Sequence, residues 1–100
     1  MRILVDAAAV PVVIREILFR AAKRTQTPLV LIANVPIQHP DSPLISGIVV
    51  PAGWDEADDR IAEMAGPGDL VITADIPLAS RAIEKGAAVI DSRGSLFTPE

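Results

Sequence analysis

Two aspartates stand at the carboxyl ends of apolar runs that are typical of β-strands. Asp6 follows the run at residues 3–5, and Asp75 closely follows the run at residues 70–73. The carboxyl ends of parallel strands meet at one edge of a sheet, so both side chains are expected to share a cleft. If the two strands are neighbours, their spacing of about 4.8 Å brings the carboxylates to within about 5 Å. Two carboxylates that close favour a shared proton or a divalent cation.

A third group of carboxylates lies on the helix predicted over residues 54–65. Residues three or four positions apart share a helix face, so Asp55 aligns with Asp58 or Asp59, and Asp59 aligns with Glu63. Asp58 or Asp59 is therefore expected to point across the sheet edge at the two strand-end carboxylates. The alternative is structural, with Asp55 complementing the helix dipole and Asp59 and Glu63 forming a solvated face.

Structural alternatives also exist for the strand-end pair. Asp75 precedes Ile76 and Pro77. Because Asp is among the preferred N-cap residues, a helix cap is the competing interpretation of this residue. Asp6 directly follows a buried strand, where a charged group must find partners. Backbone amides of the next turn could supply them, but the position favours a functional role for Asp6.

The composition restricts the chemistry further. The chain has no cysteine, and His39 is its only histidine. These counts exclude disulfides, thiolate zinc sites, Ser-His and Cys-His pairs, and a multi-histidine metal site within one chain. Any metal site must be built from oxygens, which suits Mg²⁺, Mn²⁺ or Ca²⁺. His39 itself lies in a proline-rich stretch and is interpreted as an exposed loop residue.

Charge and hydropathy bear on partners and location. The formal net charge is −4, whereas nucleic-acid-binding proteins typically carry an excess of basic residues. One possibility left open is a local basic patch formed by Arg15, Arg20, Lys23 and Arg24, although charges near a helix end are usually solvated. No apolar stretch reaches the length of a membrane span, and the N-terminus lacks the layout of a signal peptide. We therefore expect no membrane partner and a cytoplasmic location.

Strands and helices alternate along the 100 residues, which fit one domain. Strands are predicted at residues 3–5, 29–33, 48–50, 70–73 and 88–90, and helices at residues 11–24, 54–65 and 77–85. Residues 34–47 are interpreted as an irregular crossover loop, and residues 91–100 as a short tail with one hairpin-like piece. This order predicts an α/β fold with a mostly parallel sheet and helices on both faces.

Three stretches of the chain resemble the YaiI/YqxD family of small bacterial proteins, which is related to the PIN-like nuclease superfamily. They read MRILVDAAAVPVVIREILFRAAKRTQTPLVLIAN, VPAGWDEADDRIAEMAGPGDLVITADIPLASRAIEKGAAVI and SRGSLFTPE. Within the second, DLVITADIPLA is quite specific. The resemblance implies a three-layer α/β/α sandwich and a single PIN-like domain over residues 1–100. Family members usually continue past the final Thr-Pro-Glu, so it also implies that a C-terminal tail is missing here.

The chemistry that the resemblance implies is metal-dependent cleavage of RNA by acidic residues clustered at strand ends. Carried over residue by residue, it implies catalytic roles for Asp6 and Asp75. It also implies a Mg²⁺ or Mn²⁺ site formed by Asp6, Asp75 and the helix position Asp58, with its neighbour Asp59. Such an ion would polarise the scissile phosphate and activate a water.

This chain departs from the family pattern next to the first aspartate. Family members usually read Asp-x-Asp-x-Cys-Pro after the first strand, whereas this chain has Ala8 and Val10 at the second Asp and the Cys. Because a two-metal site needs several carboxylates, Ala8 predicts that the ribonuclease site implied by the resemblance is weakened.

Two hypotheses from other classes stay open. The first is a catalytically inactive binding or scaffold protein, with a homodimer as one form. It fits the charge of −4 and the sparse aromatic residues, because single-stranded nucleic acids usually bind to basic grooves and aromatic platforms. The second is a metal-dependent phosphohydrolase with an aspartate nucleophile after the first strand. That chemistry also usually needs an acid two residues on, where Ala8 stands.

Overall fold

Five parallel strands form the central sheet of the computed structural model, which describes residues 1–97. The elements along the chain are β1 (Arg2–Asp6), a 3-10 turn (Ala7–Ala9), α1 (Val12–Thr25), β2 (Leu29–Ala33), β3 (Ile45–Val49), α2 (Glu56–Met64), β4 (Asp69–Ile72), α3 (Ile76–Glu84) and β5 (Ala88–Ile90). Across the sheet the strands lie in the order β3-β2-β1-β4-β5, and every neighbouring pair is parallel.

Helices cover both faces of the sheet. On one face, α1 buries Phe19 in a cluster that includes Val5 of β1. On the other face, α2 and α3 bury Ile61 and Leu78 in a cluster that includes Leu4 of β1. Successive residues of a strand point to opposite faces of the sheet. The apolar residues at 3–5 of β1 therefore contribute to both hydrophobic clusters. The predicted three-layer α/β/α sandwich with a parallel sheet is therefore confirmed.

The direction of winding reverses between β1 and β4. From β1 the chain adds β2 and then β3 on one side, and it then crosses over to add β4 and β5 on the other side. In such sheets, ligands bind outside the carboxyl ends of the strands at the point of reversal. Val5 of β1 pairs with Ile72 of β4, so the next residues, Asp6 and Thr73, stand at the same level beside this point.

Two boundaries near the candidate site differ from the predicted ones. Asp6 is the last residue of β1, paired with Ile32 of β2, instead of following the strand. Helix α2 begins at Glu56 instead of residue 54, because Asp55 has a left-handed backbone with φ of 64° that does not continue a helix.

The third strand begins three residues earlier than predicted. Its first residue, Ile45, donates its N–H to the carbonyl of Ser42 at 3.1 Å, which closes a turn just before the strand. The carbonyl of Leu44 accepts the N–H of Leu29 at 2.8 Å, so the chain already lies alongside the first residue of β2 before residue 45. The crossover loop predicted over residues 34–47 is therefore shorter and covers residues 34–44.

The segment after β5 folds back on the sheet. Leu96 forms an antiparallel bridge with Ile90, and the N–H of Phe97 donates to the carbonyl of Val89 at 2.9 Å. This pairing corresponds to the predicted hairpin-like piece, whereas residues 98–100 of the predicted tail and domain lie outside the described residues. Between residues 1 and 97, every helix falls short of the length and apolar character needed to cross a membrane.

Candidate functional site

Asp6 is a buried carboxylate at the carboxyl edge of the sheet. Its residue surface is only 7% exposed, and it lies on the same side of β1 as Leu4, the side covered by α2 and α3. The hydroxyl of Thr73 donates to Oδ2 of Asp6 at 2.9 Å. Burial raises the pKa of Asp6, the bond from Thr73 opposes this rise, and the negative charge of Asp75 adds to it.

Thr73 connects the two strand-end aspartates and is a residue that the sequence analysis missed. It is fully buried, and its hydroxyl oxygen also accepts the backbone N–H of Asp75 at 3.0 Å. A line of hydrogen bonds therefore runs from the Asp75 backbone through Thr73 to Asp6. The available signal was a polar residue at the end of an otherwise apolar run, two positions before Asp75.

Asp75 is the N-cap of α3, as the cap interpretation predicted. Its Oδ1 accepts the N–H of Leu78 at 2.8 Å, and Pro77 lies in the first turn of the helix. The cap uses one carboxylate oxygen, so a further interaction through Oδ2 is compatible with it. The choice between a cap and a ligand is therefore not exclusive for this residue.

The two acidic positions of α2 behave differently. Burial raises the pKa of half-buried Asp58, and the charges of Asp75, Asp6 and Asp55 raise it further, whereas Arg81 opposes the rise. The charges of both Asp6 and Asp75 therefore act on the carboxylate of Asp58. Asp59 is exposed and instead pairs with Arg81 of α3 at 2.8 Å. Its predicted role as a metal ligand stays a prediction.

The acidic side chains are near one another but do not form a closed metal cage. Across residues 1–97, no three carboxylate or imidazole side chains are placed so that together they could hold a metal ion. Ala8 lies exposed on the 3-10 turn directly after Asp6. The position at which the family resemblance implies a second aspartate is therefore at the surface next to the cluster.

Arg15 anchors that same turn from the other side of the sheet. Its Nη1 donates to the carbonyl of Ala7 at 3.0 Å and to the carbonyl of Val10 at 3.3 Å. The segment that leads away from Asp6 is therefore fixed by a side chain of α1.

Comparison with known proteins agrees with the resemblance. The profile of the uncharacterised YaiI/YqxD family matches residues 4–100. The chain belongs to the YaiI/YqxD family. Relatives of this YaiI/YqxD protein, each named UPF0178, occur in Burkholderia cenocepacia (54% identical over all of the chain and 67% of the relative), in Paraburkholderia phytofirmans (58%, over 99% of the chain and 60% of the relative) and in Cupriavidus pinatubonensis (56%, over all of the chain and 67% of the relative). No solved structure matches it.

The hydrogen bonds of Thr73 can be tested in the YaiI/YqxD protein. We expect Thr73→Val to lower the free energy of unfolding by about 1–3 kcal/mol, because it leaves Asp6 and the Asp75 N–H without their shared partner. Urea denaturation at pH 7 measures the change. Thr73→Ser is the control, since it keeps the hydroxyl and should cost only about 1 kcal/mol for the lost methyl. A serine variant less stable than the valine variant would contradict this role of the hydroxyl.

Proposed function

We propose that the YaiI/YqxD chain binds a divalent cation, Mg²⁺ or Mn²⁺, at its acidic edge and hydrolyses RNA weakly. The observation that supports this most is the electrostatic coupling of three carboxylates from separate elements: the charge of Asp75, at the start of α3, raises the pKa of both Asp6 of β1 and Asp58 of α2. Asp6 and Asp75 follow the neighbouring strands β1 and β4, beside the point where the winding of the sheet reverses, which is where ligands of such folds bind.

The carboxylate ligands are of the type that a hard cation prefers, but there are too few of them for a complete site. Carboxylate oxygens are the ligands that Mg²⁺ and Mn²⁺ prefer. The like charges that raise the pKa of Asp6 and Asp58 would be offset by a bound cation. However, no ready-made group of three ligands exists in the described part of the chain. The proposed site is therefore weak, and the missing carboxylate at Ala8 accounts for the weakness.

Two of the carboxylates are positioned by contacts that do not depend on a cation. The Thr73 hydroxyl holds Asp6, and the N–H of Leu78 holds Asp75. Burial of Asp6 keeps water from part of its carboxylate, which strengthens its attraction for a positive ion. When bound, the ion would supply a Lewis acid for a phosphodiester and a bound water of lowered pKa.

An Asp75→Asn variant separates ligand from cap. Because Asn caps helices about as well as Asp, the melting temperature without metal is expected to change little. The affinity for Mn²⁺ is expected to fall by about tenfold or more, since a charged ligand is lost. Isothermal titration calorimetry measures the affinity, and thermal denaturation in EDTA measures the stability.

The unmutated chain provides the decisive comparison. We expect measurable Mn²⁺ binding by calorimetry and slow, Mn²⁺-dependent cleavage of a single-stranded RNA. Absence of Mn²⁺ binding would exclude the proposed function for this chain and favour the binding or scaffold hypothesis. Binding that survives unchanged in the Asp75→Asn variant would remove Asp75 from the site.

A further inference from the structure

A concave site lies on the face of the sheet opposite the acidic cluster. It is an open groove of about 620 Å³ between α1 and the segment at residues 38–40. We call it the α1 groove, and its walls are formed by Val12, Arg15, Glu16, Phe19, Arg20, Lys23, Gln38, His39 and Pro40. The acidic candidates are all absent from these walls, so the groove is a separate site.

The α1 groove concentrates positive charge in an acidic chain. Its walls hold three cations, Arg15, Arg20 and Lys23, and a single carboxylate, Glu16, although the chain as a whole carries −4. The ion pairs formed within residues 1–97 join Arg2 to Asp69, Arg81 to Asp59 and Arg93 to Asp91, so the groove cations take part in none of them. Arg24, the fourth member of the basic patch considered from the sequence, does not line the groove.

We propose that the α1 groove binds the phosphate groups of single-stranded RNA. Arginine forks and a lysine ammonium are the side chains that pair with phosphate oxygens. The apolar side chains of Val12, Phe19 and Pro40 offer surface for a sugar or a base between phosphates. The choice of RNA over another polyanion rests on the proposed function, whereas the preference for phosphate rests on the groove itself.

Arg15 connects this groove to the acidic edge. While lining the groove, it also donates to the carbonyls of Ala7 and Val10, in the segment that follows Asp6. One cation of the groove is thus fixed next to the carboxyl end of β1. An RNA strand held along α1 would therefore reach the edge of the sheet where the carboxylates lie.

The chain offers a matched pair of variants. Lys23 and Arg24 are adjacent, exposed and in the last turn of α1, but only Lys23 lines the groove. We expect Lys23→Glu to weaken binding of a fluorescently labelled oligouridylate by about tenfold at low salt, and Arg24→Glu by less than about threefold. Removing the opposing carboxylate with Glu16→Gln should strengthen binding by about twofold to threefold. Fluorescence anisotropy in EDTA measures all three.

Salt and competitors define the ligand further. Three phosphate contacts predict that the logarithm of the binding constant falls with the logarithm of salt concentration with a slope of about −2. Lys23→Glu should remove one phosphate contact and so reduce the magnitude of this slope by about 0.7. Equal losses from Lys23→Glu and Arg24→Glu, or no oligouridylate binding at all, would overturn the proposal. Competition by uridine monophosphate as effective as by the oligomer would also overturn it, assigning the groove to a nucleotide.

Working in EDTA keeps the two proposals separable. Oligouridylate binding in EDTA together with no Mn²⁺ binding would support the groove and refute the proposed hydrolysis. Mn²⁺ binding together with no oligouridylate binding would refute the groove and leave the acidic site standing.

Discussion

Replacing Asp6 with asparagine is expected to reduce Mn²⁺ affinity about 100-fold while it makes the apo-protein more stable at pH 7 by about 0.5–2 kcal/mol. The loss of affinity follows from removing the most buried carboxylate of the cluster. The gain in stability follows because Asp6 is charged in a buried position and near Asp75. Asparagine keeps an oxygen that accepts the Thr73 hydroxyl, so the variant removes the charge and preserves the contact.

The pH dependence of stability gives the same experiment a second readout. The pKa of Asp6 in the folded chain is raised above the value of about 3.9 expected in the unfolded chain. The stability contributed by neutral Asp6 is therefore fully present below about pH 3.9 and is lost as the pH rises through the folded pKa. We expect the difference in free energy of unfolding between Asp6→Asn and the unmutated chain to be small at pH 3.5 and larger at pH 7.

Asp41 offers a control for this measurement, because it is an exposed aspartate in the loop before β3 and lines neither site. Asp41→Asn should change neither Mn²⁺ affinity nor the pH dependence appreciably. Urea denaturation across the pH range and calorimetry at pH 7 supply the data. An Asp6→Asn variant that unfolds more easily than the unmutated chain at pH 7, or that binds Mn²⁺ equally well, would refute this account of Asp6.

Placing aspartate at position 8 is expected to raise Mn²⁺ affinity by about tenfold or more and to increase Mn²⁺-dependent RNA cleavage. Ala8 is exposed on the turn that directly follows Asp6, so a larger side chain meets no packing penalty there. The added carboxylate brings another like charge to the cluster. We therefore expect the apo-protein to lose a little stability and to regain it when Mn²⁺ is added.

Ala9 is the matched control for this gain. It is also exposed and belongs to the same turn, so Ala9→Asp adds the same charge one residue further along. Calorimetry with Mn²⁺ and a gel assay with labelled single-stranded RNA compare the two variants. If Ala9→Asp raised the affinity as much as Ala8→Asp, the effect would be general electrostatic attraction and not restoration of a ligand.

The sequence predicted the layers and the acidic edge because both depend on local patterns. Apolar runs broken by Gly and Pro mark the strands, and the alternation of strands and helices predicts a parallel sheet. That sheet in turn brings Asp6 and the start of α3 to one edge, as the structure confirms. The cap interpretation of Asp75, which competed with a catalytic and metal-binding role, is confirmed, and its signal lies within the four residues that follow Asp75.

Contacts between distant segments could not be predicted in the same way. The bond from Thr73 to Asp6 spans 67 positions, and the bond from Arg81 to Asp59 spans 22, so neither leaves a periodic signal. The α1 groove likewise depends on where residues 38–40 lie relative to α1. Helical spacing alone could not separate Lys23 from Arg24, because the wall that makes one of them part of a cavity comes from another segment.

The backbone that folds back after β5 determines how two copies of this sheet could join. At Val89 and Ile90, the described chain occupies the outer side of β5 with its own antiparallel pairing. If two copies joined by strand addition, the margin left for it would be β3, where Ser46 and Gly47 are exposed. A two-fold dimer formed there would pair β3 with β3 in antiparallel fashion and extend both sheets into one. Its axis would lie beyond β2 and β3 from β1, so the contact would stay away from Asp6 and Asp75.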